Sequence, residues 1–224
     1  VSNSSAKTAG TSEFDIEIPS SELSAPFDEP FDNPELFAVT RGALGGNNSA
    51  YFKITGESGI NVSYSGTDGD FLAGQDLNDD GDGASKPQIT WSGIDISGEG
   101  GLQFSGDFGA NGSNDYESDD FLRVEYRIDG GAWQNLVSFV GDSNGDLSED
   151  TDFDGTAEGT ALTGTLSEFS KDIGGTGSTL DFRFTARANV GGEDFAVDDF
   201  SISLSPVVQF TTSSGSVSES EGST

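Results

Sequence analysis

The sequence predicts an all-β protein, an antiparallel β-sandwich or jelly roll with Gly- and Asp-rich loops. Short runs of alternating apolar and polar residues recur along the chain, which is the period of strands with one buried face. Glycines, 32 in total, separate these runs. No run shows the i, i+3, i+4, i+7 apolar stripe of an amphipathic helix. Many short strands with Gly-rich turns and no helices are typical of sandwiches and jelly rolls.

The predicted strands are spread along most of the chain. They are Phe14–Ile18, Leu36–Thr40, Ala50–Thr55, Ile60–Ser65, Gln88–Trp91, Leu102–Ser105, Phe121–Ile128, Trp133–Val140, Leu180–Arg187 and Phe195–Leu204. Residues 127–133 (RIDGGAW) predict a hairpin, because Asp-Gly and Gly-Gly supply the positive φ that tight primed turns require.

Changes in composition divide the chain into three segments. Residues 1–25 form a Ser-rich segment that we expect to be a flexible arm carrying the short strand 14–18. Residues 26–205 carry the jelly roll, and residues 206–224 form a linker and a truncated strand. We therefore expect a processed or excised piece of a larger secreted or cell-surface protein.

The composition excludes several functional classes. The chain has no Cys and no His, so disulfides, ordinary zinc sites and Ser-His-Asp triads are ruled out. The formal net charge of −31 would be repelled by phosphate and argues against nucleic acid as a partner. No apolar run approaches the roughly 20 residues of a membrane span. Paired carboxylates remain for catalysis, but 40 acidic residues create such pairs by chance, so we predict no enzyme.

Two loops have the spacing that calcium needs, with oxygen side chains at alternate positions before a glycine. The first loop offers Asp76, Asn78, Asp80 and Asp82. The second offers Asp150, Asp152 and Asp154, and Glu158 could complete it. Pro87 and Ala161 stand where an EF-hand has its bidentate Glu, so the sites would lie between strands. The alternative is a solvated acidic turn, and residues 142–146 could form a further site.

The last predicted strand carries a third candidate site. Apolar residues occupy odd positions before Asp198-Asp199 and even positions after it, which predicts a β-bulge at the pair or burial of both faces. A carboxylate that points inward needs a partner, and a cation would provide one. The alternative is that both side chains face water.

Several motifs resemble one family of domains. They are WSGIDISG (91–98), GLQFSGDF (101–108), VEYRIDGGAWQNL (124–136), DTDFDGTAEGTAL (150–162) and EDFAVDDFSIS (193–203). With these motifs the chain resembles the amino-terminal jelly-roll domain of large secreted marine bacterial proteins. The last motif is also similar to the closing strand of MAM-type and carbohydrate-binding jelly rolls. Residues 207–224 resemble the opening strand of a Calx-β domain.

The resemblance implies a jelly roll with a structural calcium ion. In such folds the Asp pair of the last strand commonly lies beside that ion, together with a carboxylate near the first strand. Asp28, Glu29 or Asp32 could supply this carboxylate here.

Four of the five arginines fall on two predicted strands. Arg123 and Arg127 share one face of the first strand, and Arg183 and Arg187 share one face of the second. If the strands are neighbours, these side chains form one cluster with Glu125 and Asp181. The cluster is either a lattice of cross-strand ion pairs or a surface for acidic polysaccharide or another copy of the chain.

Two tryptophans lie beside glycines at strand ends. They are Trp91 and Trp133, and each ring could pack in the core or lie exposed as a platform for a sugar.

Two functions follow from these patterns. The first is a non-catalytic, calcium-binding module that serves adhesion or carbohydrate attachment. The second is a self-assembling subunit of an extracellular filament or surface layer, in which Phe14–Ile18 or the terminal segment adds a strand to a neighbouring copy.

Overall fold

The computed structural model describes residues 23–32, 38–41, 45–47, 49–78, 86–111 and 115–205. These residues form thirteen strands and no helix, which confirms the all-β prediction. The strands are β1 (Phe27–Glu29), β2 (Ala38–Arg41), β3 (Gly45–Gly46), β4 (Tyr51–Thr55), β5 (Phe71–Gln75), β6 (Gln88–Asp95), β7 (Leu102–Ala110), β8 (Phe121–Ile128), β9 (Gln134–Gly141), β10 (Leu147–Glu149), β11 (Ser167–Ile173), β12 (Thr179–Arg187) and β13 (Phe195–Leu204).

The strands form two antiparallel sheets. The seven-stranded sheet has the order β11-β7-β13-β5-β4-β3, and β1 pairs with β13. The six-stranded sheet has the order β10-β9-β8-β12-β6-β2. Each sheet turns one face toward the shared core, which makes the fold a β-sandwich.

Aromatic side chains fill much of the space between the sheets. Trp91 of β6 stacks on Phe182 of β12, with ring centroids 4.5 Å apart and planes 9° from parallel. Phe200 of β13 meets Phe104 at 5.3 Å and Trp91 at 5.8 Å. These contacts join strands of both sheets, so a chain with few large aliphatic residues still closes a continuous core.

Most of the predicted strands are confirmed in part or in full. The predicted hairpin is also confirmed, because Asp129 and Gly130 both have positive φ and the Gly131 N–H donates to the Ile128 carbonyl at 2.9 Å. β6 and β7 extend beyond their predicted ends, and β1, β3, β5, β10 and β11 were not predicted.

The predicted strand Ile60–Ser65 is wrong. These residues lie in a loop whose ladder pairing within the described part of the chain is a single bridge at Ser65. Their alternating pattern arises because Ile60, Val62 and Tyr64 pack against Phe71 and its neighbours without strand pairing. An alternating pattern indicates which side chains are buried. In this loop the burial occurs without strand pairing.

The beginning of the described chain belongs to the sandwich. Leu23 is buried. The Ala25 amide donates to the Asp95 carbonyl, and the Asp95 amide donates to the Leu23 carbonyl. The predicted strand 14–18 and the predicted segment 206–224 lie outside the described residues. Among those that are described, no helix is long and apolar enough to cross a membrane.

Candidate cation sites and the arginine face

The loop after β10 brings four carboxylates together. Asp150, Asp152, Asp154 and Glu158 each offer an oxygen, and these oxygens lie within 4.8 Å of one another. Asp150 directly follows β10 and is buried, whereas the other three residues are exposed in the loop. The structure therefore gathers all four residues predicted for the second calcium loop.

Hydrogen bonds within the loop fix each carboxylate by one of its oxygens. Asp150 Oδ2 accepts from the Gly155 amide at 3.1 Å, and Asp152 Oδ1 accepts from the Asp154 amide at 3.2 Å. Glu158 Oε2 accepts from the Thr151 amide at 3.1 Å. Gly155 has a φ of +89°, a conformation that glycine adopts without strain.

One oxygen in this loop has no partner of its own. Asp150 is 1% exposed, and its Oδ1 atom is buried without a hydrogen bond. A buried, unpartnered carboxylate oxygen is costly unless a ligand satisfies it. Calcium takes six to eight oxygen ligands at about 2.3–2.6 Å, so carboxylates suit this ion, and these four would supply part of the ligand set.

The other two acidic loops differ from this one. In the first predicted calcium loop only Asp76 and Asn78 belong to the described residues, while Asp80 and Asp82 lie outside them. Upstream of Asp150, the Asp142 carboxylate accepts from the Asn144 and Asp146 amides and from the Ser148 hydroxyl. Asp142 therefore closes a tight turn with both of its oxygens.

The predicted bulge in β13 is confirmed. The pairing of β13 with β7 shifts register between Asp198 and Ser201, and Asp199 has a φ of +50°. The partner of β13 on its other edge changes at this point from β5 to β1.

Asp198 does not face water. It is buried, and its two oxygens accept from the amides of Asp68 at 3.1 Å and Asp199 at 3.0 Å. Burial raises the pKa of Asp198 to about 7, and the charges of Asp199 and Asp107 act in the same direction. Backbone amides thus supply the partners that this carboxylate needs.

Asp199 faces an open acidic cleft that also includes Asp28. Asp28, Glu29, Glu168 and Asp199 line this cleft together with Ser105. Burial raises the pKa of Asp199, and the charges of Asp68, Asp32 and Asp28 raise it further. The structure therefore brings Asp28 close to Asp199.

Glu29 has a structural role at the edge of this cleft. Its Oε2 accepts from Trp91 Nε1 at 3.0 Å and its Oε1 accepts from the Phe31 amide at 2.9 Å. Asp32 accepts from the Asp70 amide at 2.7 Å.

The arginines of β8 and β12 lie on one face of the six-stranded sheet. The two strands are neighbours, and their register places Arg127 opposite Asp181 and Arg183 opposite Glu125. Arg127 Nε lies 2.7 Å from Asp181 Oδ2, and Arg183 Nε lies 2.8 Å from Glu125 Oε2. Two of the four arginines thus form the predicted cross-strand lattice.

The remaining two arginines are held differently. Arg187 forms an ion pair with Asp119 at the end of the sheet. The Arg123 guanidinium lies over the Phe121 ring at 4.9 Å, and its Nε atom is buried without a hydrogen bond. We call the surface formed by Arg123, Arg127, Arg183 and Arg187 the arginine face.

The two tryptophans have opposite environments. Trp91 is 0% exposed, so it packs in the core and cannot act as a sugar platform. Trp133 is half-buried on the arginine face, with the guanidinium carbons of Arg127 and Arg183 at 4.6 and 4.2 Å from its ring centroid. Of the two tryptophans, only Trp133 can therefore contact a ligand, through the edge of its ring.

A second group of carboxylates was not predicted from the sequence. Glu117, Asp120 and Glu193 offer oxygens within 4.8 Å of one another, although 73 residues separate Asp120 from Glu193. Neither short segment has calcium-like spacing. The one available signal was the run Gly-Glu-Asp (192–194) just before β13, which is too common to predict a site.

The sandwich is similar to several solved structures. No protein-family model matches the chain, and no curated protein matches it. The K1 cleaved adhesin domain of Lys-gingipain from Porphyromonas gingivalis W83 is 13% identical, with a TM-score of 0.50, over 82% of this chain and all of that domain. The K3 domain of the same protein is 16% identical, with a TM-score of 0.47, over 79% of this chain and 98% of that domain.

A xylan-binding domain of CBM 22 is 10% identical, with a TM-score of 0.45, over 83% of this chain and 99% of that domain. At such low identity the likeness concerns the fold alone, and that fold is the jelly-roll β-sandwich.

Proposed function

We propose that this chain is a non-catalytic, calcium-stabilised binding module of a secreted or cell-surface protein. The observation that carries this proposal is the buried, unpartnered Oδ1 of Asp150 within a group of four carboxylates. Each of these side chains already fixes the loop with one oxygen. A cation would use the oxygens that remain.

The four carboxylates of the 150–158 loop would hold the ion. Bound calcium offsets the mutual repulsion of four acidic groups within nine residues, in a chain whose net charge is −31. It would also fix the connection that leaves β10. The contribution of calcium in this loop is therefore structural.

The test is thermal unfolding of the 224-residue chain in EDTA and in millimolar CaCl₂, at an ionic strength of about 0.5 M to screen its charge. One site at a hundredfold excess over Kd adds about 2.7 kcal/mol to the free energy of unfolding. At about 2–4 °C per kcal/mol, that is a rise in midpoint of about 5–10 °C per site. We expect MgCl₂ to give a smaller rise.

Asp150→Asn is the matching variant, because it keeps the acceptor for Gly155 and removes the charge. We expect this variant to lose the part of the calcium-dependent rise in unfolding midpoint that this loop contributes. Asp172→Asn, an exposed carboxylate outside the loop that accepts from Gln103, is the control and should keep the full rise. Equal calcium-dependent rises in Asp150→Asn and Asp172→Asn would contradict the proposal.

A second candidate function concerns the arginine face. Four of the five arginines of this acidic chain lie there, around the half-buried ring of Trp133. Arginine suits bidentate contacts with carboxylate or sulfate groups. We propose that this face binds an acidic polysaccharide, which would displace Glu125 and Asp181 from their partners.

Affinity electrophoresis in gels that contain polygalacturonate tests this candidate, with neutral dextran as the comparison. We expect retardation by polygalacturonate alone, and we expect Arg183→Gln to reduce it. Lys53→Gln removes one positive charge from the other sheet and should change it little. Equal retardation of the two variants would contradict a site on the arginine face.

Self-assembly stays an alternative role for the terminal segments. Its proposed strands, 14–18 and 206–224, lie outside the described residues. Size-exclusion chromatography of the chain with and without residues 1–25 tests it, and a monomer in both cases would contradict strand exchange by the amino-terminal arm.

A further inference from the structure

Three carboxylates from two distant loops meet at one end of the sandwich. Glu117 and Asp120 lie in the loop between β7 and β8, and Glu193 lies in the loop between β12 and β13. Their nearest oxygens are all within 4.8 Å of one another. We call these residues the buried triad, because Asp120 is 2% exposed and Glu193 is 0% exposed.

The backbone around the triad is fixed by hydrogen bonds. Asp120 Oδ2 accepts from the Glu117 amide at 2.7 Å, and the Asp120 amide donates to the Glu117 carbonyl at 3.0 Å. The Gly141 amide of β9 donates to the Asp120 carbonyl at 3.1 Å. The triad is therefore held on a rigid turn that is anchored to the six-stranded sheet.

Glu193 leaves one oxygen without a partner. Its Oε2 accepts from the Val190 amide at 2.8 Å, whereas its Oε1 is buried and has no hydrogen bond. The carboxyl groups of Glu117 and Asp120 are its side-chain neighbours. The unpartnered oxygen thus belongs to a carboxylate that faces two further carboxylates.

The electrostatics of the triad require a neutralising partner. Burial is the main reason that the pKa of Glu193 is raised to about 8 and that of Asp120 to about 6. An ionised triad of this kind is unfavourable unless a proton or a cation is bound.

We propose that the buried triad is a second divalent-cation site, of the calcium type, that ties the β7–β8 loop to the β12–β13 loop. All three ligands would be carboxylate oxygens. Hard cations such as calcium prefer oxygen ligands, whereas zinc prefers nitrogen and sulfur. The orphaned Glu193 oxygen supplies the buried ligand, and the exposed Glu117 supplies the solvent-facing one. This site shares no residue with the 150–158 loop.

Protons alone are the competing account of the triad. A proton shared among the three carboxyl groups would relieve their repulsion without any metal. The two accounts differ in how Glu193→Gln responds to calcium. If protons alone neutralise the triad, the variant keeps the calcium-dependent rise in midpoint. If a cation does, the variant loses part of that rise.

The test compares the unfolding midpoint in EDTA with that in millimolar CaCl₂ for Glu193→Gln, at pH 8. We expect a higher midpoint than the parent in EDTA, because a buried charge is removed. We also expect a calcium-dependent rise that is smaller by about 5–10 °C, the share of one site. Glu117→Gln, at an exposed position that the fold tolerates, should lose part of the same rise.

The controls separate this proposal from the proposed function. Asp172→Asn should keep the full rise, and Asp150→Asn should lose only the share of the 150–158 loop. A full rise in both Glu193→Gln and Glu117→Gln would overturn the triad site and leave the loop site standing. A loss in these two variants with none in Asp150→Asn would support the triad and contradict the loop.

Discussion

The 150–158 loop and the buried triad are built from the same side chains in opposite ways. The loop draws four carboxylates from nine consecutive residues, and three of them are exposed. The triad draws three from two distant loops, and two of them are buried. Each group contains one buried carboxylate oxygen without a hydrogen bond: Oδ1 of Asp150 in the loop and Oε1 of Glu193 in the triad.

The difference in burial changes how much stability each group would lose without a cation. Water can solvate the exposed carboxylates of the loop, so the proposed ion would add stability to a loop that can fold without it. Water has little access to Asp120 and Glu193 of the triad, so without a cation the chain must protonate them or fold with repelling charges. If both groups bind calcium as proposed, we therefore expect its loss to cost the buried triad more stability than the exposed loop.

The largest expected effect comes from Gly141, on which the triad rests. A Cβ at this position would collide with the backbone carbonyl of Glu117. We expect Gly141→Ala to lower the free energy of unfolding by about 1–3 kcal/mol, as overpacking does, and to weaken calcium binding at the triad alone. Chemical denaturation in EDTA and in CaCl₂ measures both effects.

Gly100→Ala is the control for this variant. Nothing lies within 4 Å of a Cβ at Gly100, and its φ is not positive. We expect its stability to equal or slightly exceed that of the parent, because alanine restricts the unfolded chain. Unchanged stability in Gly141→Ala would mean that the turn carrying Glu117 and Asp120 can move, which would contradict a rigid triad.

A smaller effect concerns pH and a further buried carboxylate, that of Asp198. Its pKa is raised from 3.8 to about 7, so the folded chain holds a proton that the unfolded chain releases. Stability from this group is full below pH 4 and is lost as pH rises through about 7. In EDTA we expect the midpoint to fall by a few degrees between pH 5.5 and 8.

Asp198→Asn should make this decline shallower, since asparagine does not titrate, while Asp120 and Glu193 still contribute to it. Asp172→Asn replaces an exposed carboxylate and should leave the decline unchanged. Thermal unfolding at several pH values, with EDTA present throughout, measures the slope. An equal slope in the parent and in Asp198→Asn would show that other groups cause the decline.

Features that lie within one stretch of chain were the ones that sequence could predict. The bulge at Asp198-Asp199 follows from a change in alternation along a single strand. The shared face of Arg123 and Arg127 follows from the two-residue period of β8. The grouping of Asp150 with Glu158 follows from the spacing of a single loop.

Features that depend on how distant segments meet were not predictable. Glu193 joins Asp120 only because β12 pairs with β8 and brings their end loops together. β5 was missed because Phe71–Gln75 is buried on both faces and so lacks alternation. Ile60–Ser65 alternates because its side chains pack on a second cluster, and its backbone makes a single bridge.

The most direct test of the account is the calcium-dependent rise in unfolding midpoint of the double variant Asp150→Asn/Glu193→Gln, beside the parent and the two single variants. The two groups share no residue, so their contributions should add. The account predicts that each single variant loses part of the rise and that the double variant loses the sum of the two parts. A double variant that keeps the full rise of the parent would contradict the claim that these two groups bind calcium.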